Sequence, residues 1–166
     1  MVLSIRKATA DDIPQILAFI HALAEYEHAA DAVHTTEADL VRNGFGPHPI
    51  FECLMADSDG SPAGFALYFY TYSTWTGRAG IHLEDLFVLP ERRGQGVGKA
   101  LIQRVAAAAV AQDCRRLEWA VLDWNTPAID FYRAIGGEFL DEWRDVRVSG
   151  EALEKLASTE TAEETR

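Results

Sequence analysis

Residues Leu86 to Leu101 run as an apolar strand, a Pro90 turn, the pair Arg92-Arg93, alternating Gly94, Gly96 and Gly98, and then an alanine-rich helical pattern from Lys99. A strand that feeds a helix through glycines commits the chain to layered helix-on-sheet packing. It also makes a phosphate site. Glycines let an anion approach bare backbone, and the first-turn N–H groups of the helix point outward at it. The helix dipole adds partial positive charge at the same place.

Three glycine devices compete for this segment, alongside a plain strand-to-helix turn. A phosphate-binding P-loop needs glycine where Arg93 stands and Ser or Thr where Ala100 stands, so it is excluded. A dinucleotide fingerprint needs G-x-G-x-x-G, whereas Gly94, Gly96 and Gly98 give G-x-G-x-G. The acid that fingerprint expects about 20 residues on falls at Asp113 or Glu118, neither clearly at a strand end. The third device, the Q/R-x-x-G-x-G/A loop, fits Arg93-Gly94-Gln95-Gly96-Val97-Gly98.

At 166 residues the chain is long enough for one domain with a real core, expected over residues 1–157 with a polar, acidic, disordered tail at 158–166. No apolar run approaches a membrane span, and the first residues lack a signal-peptide core. Cys53 and Cys114 form no metal-type pair, and the histidines show no ligand spacing. A cytoplasmic protein without a metal is therefore expected. The net charge of −11 argues against nucleic acid or an anionic membrane as partner. Its distribution is uneven. Residues 11–41 carry Asp11, Asp12, Glu25, Glu27, Asp31, Glu37 and Asp39 without one Lys or Arg, while Arg92, Arg93, Lys99 and Arg104 gather around the glycines. That pattern suits an anionic cofactor and a cationic substrate, or a merely soluble surface.

Periodicity predicts the remaining elements. Leu3–Arg6 alternates as a strand; Thr9, Asp12 and Pro14 open a helix with Ile13, Ile16, Leu17, Ile20 and Leu23 as its apolar stripe. A short helix follows from Thr36 to Gly44, then strands at 50–56 and 64–72 around a turn at 57–61. Residues 81–89 are the strand before the glycines. A helix over 96–112 buries Leu101, Ile102, Val105 and Val110. Further elements are a strand at 116–124, a helix from Thr126 to Gly136-Gly137, a strand at 138–148 and a helix at 151–156. The order β-α-α-β-β-β-α-β-α-β gives an α/β fold with a central mixed, mostly antiparallel sheet flanked by helices.

This order and two separate motifs resemble the GNAT superfamily of N-acetyltransferases. The first motif is the glycine loop. The second, Asn125-Thr126-Pro127-Ala128-Ile129-Asp130-Phe131-Tyr132 ending at Gly136, is similar to the family's N-x-x-A-x-x-F-Y-x-x-x-G segment. To about residue 157 the chain resembles the spermidine/spermine N-acetyltransferases, through Arg6-Lys7-Ala8-Thr9, Leu23-Ala24-Glu25-Tyr26-Glu27, Gly44-Phe45-Gly46-Pro47, Leu83-Glu84-Asp85 and Trp143-Arg144.

The resemblance implies acetyl-coenzyme A as cosubstrate. Its contacts would be Leu86, Phe87, Val88, Arg93, Gly94, Gln95, Gly96, Val97, Gly98, Lys99, Asn125, Thr126, Pro127 and Ala128. Tyr132 corresponds to the general acid that protonates the departing thiolate, and Glu84 to the residue that takes the amine's proton through water. Amine-side positions are Tyr26, Glu27, Glu84, Asp85, Glu118, Asp141 and Trp143. Glu84 and Asp85 face opposite sides of a regular strand, so they reach one spot only through a bulge; one near Asp85 or Leu86 would also splay the sheet at the cofactor slot. The resemblance also implies a homodimer. Three departures bear on the acceptor. Ser73 stands where the relatives carry an acid, Glu118 where histidine is typical, and the segment before Trp143 is shorter. The acceptor is a diamine or polyamine, or an amino-acid side-chain amine such as thialysine; a catalytically weak acyl-coenzyme A-binding regulator is the reading from outside enzymology.

Overall fold

Strands β1 (Leu3–Lys7), β2 (Glu52–Ser58), β3 (Ser61–Ser73) and β4 (Arg78–Val88) lie side by side in chain order, each antiparallel to the last, and β5 (Leu117–Glu118) joins β4 in parallel. The β2–β3 hairpin turns on Asp59 and Gly60, both at positive φ, as a two-residue turn requires for strands with right-handed twist. The result is the mixed five-stranded sheet with flanking helices that the pattern predicts. The computed structural model describes residues 2–160, with side chains to residue 158, and the contacts divide the chain into two units between Leu122 and Asp123. Among the described residues no helix is long and apolar enough to cross a membrane.

In the first unit, helix α1 (Ile13–Tyr26) covers one face of the sheet. Its Ile13, Ile16 and Phe19 pack with Cys53, Met55, Phe65, Leu67 and Phe87. Phe19 is absent from the predicted stripe, yet it stacks on Phe65 at 5.8 Å and meets the tilted Phe87 ring at 5.6 Å in this core. The short α2 (Glu37–Leu40) runs on as a π-helical turn to Phe45. Helix α3 (Val97–Ala111) buries Leu101, Ile102, Val105 and Ala109 on the opposite face. Val110, expected inside, is 79% exposed. One residue beyond Ala109 the helix has turned by about 100°, which carries it off the buried stripe.

One irregularity shapes the site. Leu67 of β3 lies opposite Asp85, but the next residue, Tyr68, lies opposite Leu83, so Glu84 is an extra residue in β4 without a partner across the ladder. The bulge falls one or two residues earlier than expected. An extra residue exchanges the faces of everything beyond it. Leu83 therefore shares the α3 face with Tyr68, while Asp85 and Phe87 share the α1 face with Leu67 and Phe65.

The second unit holds α4 (Thr126–Ala134) and α5 (Glu151–Glu160). Two strand predictions are corrected. Residues 116–124 pair only at Leu117 and Glu118, and residues 138–148 join no ladder among the described residues. Alternation supplies a strand's faces, but its backbone groups still need a neighbour to bond. Residues 158–160 complete α5 in place of the expected loose tail, and 161–166 lie outside the described residues.

Candidate active site

A candidate anion site is built from β4, the glycine loop and the mouth of α3. β5 pairs with β4 only at Ile81 and His82, so from Leu83 to Val88 that edge of β4 has no strand beside it among the described residues. Leu86, Phe87 and Val88 lie on this open stretch. Gly94 and Gly96 take φ of +72° and +86°, and nothing lies within 4 Å of where a β-carbon would stand on either. Gly96 is the N-cap of α3 and offers no side chain to its first-turn amides. The first-turn N–H groups of Val97, Gly98 and Lys99 have no acceptor within the helix, a donor set that fits a pyrophosphate. Gly98 is different: its β-carbon would only touch Val88 Cγ2 at 3.6 Å, so alanine fits there.

Arg93 is folded back from this mouth. Its Nε donates to the Val88 carbonyl at 3.0 Å, and its guanidinium lies 4.6 Å from the Tyr26 ring centroid and 5.8 Å from that of Phe87. Gln95 is likewise engaged locally, donating from Nε2 to the Glu91 carbonyl at 2.9 Å. Lys99 is exposed.

The acids gather at the bulge. Glu84 is exposed, with its Oε2 3.6 Å from Nε2 of His82. Asp85 is half-buried, and burial followed by the nearby charges of Glu84 and Glu27 pushes its carboxyl up to about 6. Partial burial also raises Glu27, which follows Tyr26 at the end of α1. The fold therefore brings Glu27, Glu84 and Asp85 into one electrostatic neighbourhood. It holds Glu118 in a separate pairing: Arg116 Nε meets Glu118 Oε2 at 2.8 Å, and Glu118 lies beside His82 in the parallel register. Ser73 is spent on the β3–β4 turn, where its Oγ accepts from the Thr76 N–H at 3.3 Å. His82 is a member of this cluster that no motif marks. Its place two residues before Glu84 was the available signal, since such residues share a side of a strand.

In the second unit, Asn125 caps α4, its Oδ1 accepting from the Ala128 N–H at 3.4 Å, with Pro127 in the first turn beside Thr126. Tyr132 is buried and its ring lies 5.4 Å from that of Phe131. The helix ends in a Schellman turn: Gly136 donates to the Arg133 carbonyl at 3.1 Å, and Gly137 to the Tyr132 carbonyl at 2.8 Å. Gly136, at φ +92°, supplies the left-handed residue this turn requires. Beyond it Asp141 lies in a turn that the Trp143 N–H closes onto the Leu140 carbonyl at 3.0 Å, and both Asp141 and Trp143 are exposed.

An open strand edge leading into a glycine-mouthed helix, followed by the Asn125–Gly136 segment, is the frame of an acyl-group transferase. The chain belongs to the acetyltransferase (GNAT) family, whose profile matches residues 15–136 and so spans both motifs. It is an N-acetyltransferase. It is 44% identical over 164 residues to the thialysine N-epsilon-acetyltransferase of Sus scrofa, covering 92% of this chain and 96% of that protein. It is 36% identical to the spermidine/spermine N(1)-acetyltransferase-like protein 1 of Homo sapiens, covering 92% of this chain and 23% of that one. Among solved structures, an integron cassette protein from the mobile metagenome of V. cholerae superposes with a TM-score of 0.78 at 26% identity, over 95% of this chain and 98% of that one.

Proposed function

We propose that the protein transfers the acetyl group of acetyl-coenzyme A to a primary amine of a small cationic substrate, with an amino-acid side-chain amine of the thialysine type ahead of a polyamine. The observation that carries this is the layout of β4. One strand presents Glu84 and Asp85, then an open edge at Leu86–Val88, then the glycine loop. The likeness to thialysine N-epsilon-acetyltransferases over nearly their whole length favours the amino-acid acceptor, and Ser73 in place of an acid agrees with it. The family match crosses from residue 122 to 123, which supports treating the chain to residue 157 as one transferase domain.

Acetyl-coenzyme A supplies the activated acyl group. The amides of Gly94 to Lys99 grip its pyrophosphate, with Asn125, Thr126, Pro127 and Ala128 flanking the pantetheine. An N–H at Phe87 or Val88 polarises the thioester carbonyl where negative charge develops. Glu27, Glu84 and Asp85 attract the ammonium. Glu84 takes its proton through water, so that a neutral nitrogen attacks, and Tyr132 protonates the sulfur as the thiolate leaves.

The test is thiol release from acetyl-coenzyme A with thialysine, lysine, ornithine, spermidine and putrescine at matched concentrations. The reading expects the highest kcat/KM on an amino-acid side-chain amine. Higher kcat/KM on spermidine would move the acceptor to polyamines. Coenzyme A binding without turnover of any amine would reject acetyl transfer in favour of a regulatory acyl-coenzyme A binder.

A further inference from the structure

We propose that Arg93 is a positioning residue of the amine site, holding Tyr26 and the end of α1 that carries Glu27, and is not a ligand of the cofactor's phosphates; this rests on the acetyl-transfer reading above. Three contacts fix the side chain. Its Nε is given to the Val88 carbonyl at 3.0 Å, and its guanidinium lies 4.6 Å from the Tyr26 ring and 5.8 Å from the Phe87 ring. A guanidinium is planar and stacks on an aromatic face while an edge nitrogen donates in its own plane, so one conformation satisfies the rings and the carbonyl together. Its charge also sits at the C-terminal end of α1, where the helix dipole is negative.

Reaching a phosphate at the mouth of α3 would cost Arg93 these contacts. The mouth has no need of it, because the uncapped first-turn amides beyond Gly96 supply the donors. What Arg93 does instead is connect. Gly94 follows it directly, and Tyr26 precedes Glu27, one of the charges that acts on Asp85. The start of the cofactor loop and one wall of the acid cluster are therefore tied through a single side chain.

The experiment compares Arg93→Met, Arg93→Lys, Tyr26→Leu, Tyr26→Phe and the double variant Arg93→Met/Tyr26→Leu. Steady-state kinetics on the best amine are read beside calorimetric binding of coenzyme A. Arg93→Met should raise the amine KM roughly two- to fivefold, the scale of a lost cation–π contact at an exposed site, while the coenzyme A Kd moves less than about twofold. Arg93→Lys keeps the charge but loses the planar stack, so it should fall between wild type and Arg93→Met. Tyr26→Leu should raise the amine KM more than Tyr26→Phe, and the double variant should be no worse than the poorer single one. Unchanged coenzyme A affinity also certifies that the variants are folded. A roughly tenfold weaker coenzyme A Kd in Arg93→Met with an unchanged amine KM, or simple additivity in the double variant, overturns the assignment while leaving acetyl transfer intact. Wild-type protein that binds coenzyme A and acetylates no amine overturns the functional reading, and this assignment with it.

Discussion

Gly137 donates its N–H to the carbonyl of Tyr132 at 2.8 Å, and a β-carbon on Gly137 would stand 2.9 Å from that same carbonyl oxygen. The backbone of Tyr132 is thus held by a residue that has to lack a side chain. Gly137→Ala should cost about 1–3 kcal/mol, the usual penalty for forcing extra volume into a packed place. Thermal unfolding of the pair measures it, and an unchanged Tm would show that the helix end relaxes freely.

Tyr132→Phe removes one oxygen and keeps the buried ring. If the phenol protonates the leaving thiolate, kcat should fall roughly a hundredfold or more, the typical contribution of a general acid, with coenzyme A affinity nearly constant. Stopped-flow thiol release and calorimetry separate the two quantities. A normal kcat would strip Tyr132 of that role.

Asp85 gives a pH signature. Its folded carboxyl is raised from 3.8 to about 6, so the folded protein holds a proton that the unfolded chain has already released between those values. Stability therefore declines as pH rises from about 4 to about 6, and the cost persists above that window. Asp85→Asn should be more stable than wild type at pH 7.5, by an amount on the order of 1 kcal/mol after allowance for residual solvent screening. That advantage should vanish near pH 4. The same variant should raise the amine KM, because it deletes a charge meant for the substrate. Melting curves at both pH values would expose an error in sign.

Gly96 and Gly98 should part company. Gly96→Ala forces a β-carbon onto a left-handed backbone, which costs roughly 1 kcal/mol and reshapes the anion-facing amides. Gly98→Ala meets only an ordinary contact with Val88 and gains helix propensity, for roughly 0.5–1 kcal/mol of added stability. Coenzyme A titration beside thermal melts of both variants tests the contrast. Equal losses of affinity would mean that the loop does not grip through its backbone as proposed.

Local chemistry was readable in the sequence; long-range pairing was not. The glycine loop and the Asn125–Gly137 helix declare themselves because their constraints, left-handed glycines and caps, act within a few residues. The bulge was anticipated from the adjacent acids but misplaced, since only cross-strand register fixes the extra residue at Glu84. Residues 138–148 read as a strand from alternation alone, yet a strand is a relation between segments. Arg93 read as a basic neighbour of a phosphate because its partner Tyr26 lies far along the chain.

The surplus residue at Glu84 makes β4 a strand with a parity change in the middle. Its first half feeds the core beneath α3 and its second half the core beneath α1, so each half can be specified against a different helix. Straightening β4 with Glu84 still in the ladder would set Leu83, Asp85 and Phe87 in competition for a single face. Deleting Glu84 would instead join Leu83 directly to Asp85, leave both on the faces they already occupy, and remove the irregularity together with its carboxylate. A deletion here tests the bulge, whereas a substitution at Glu84 tests only its charge.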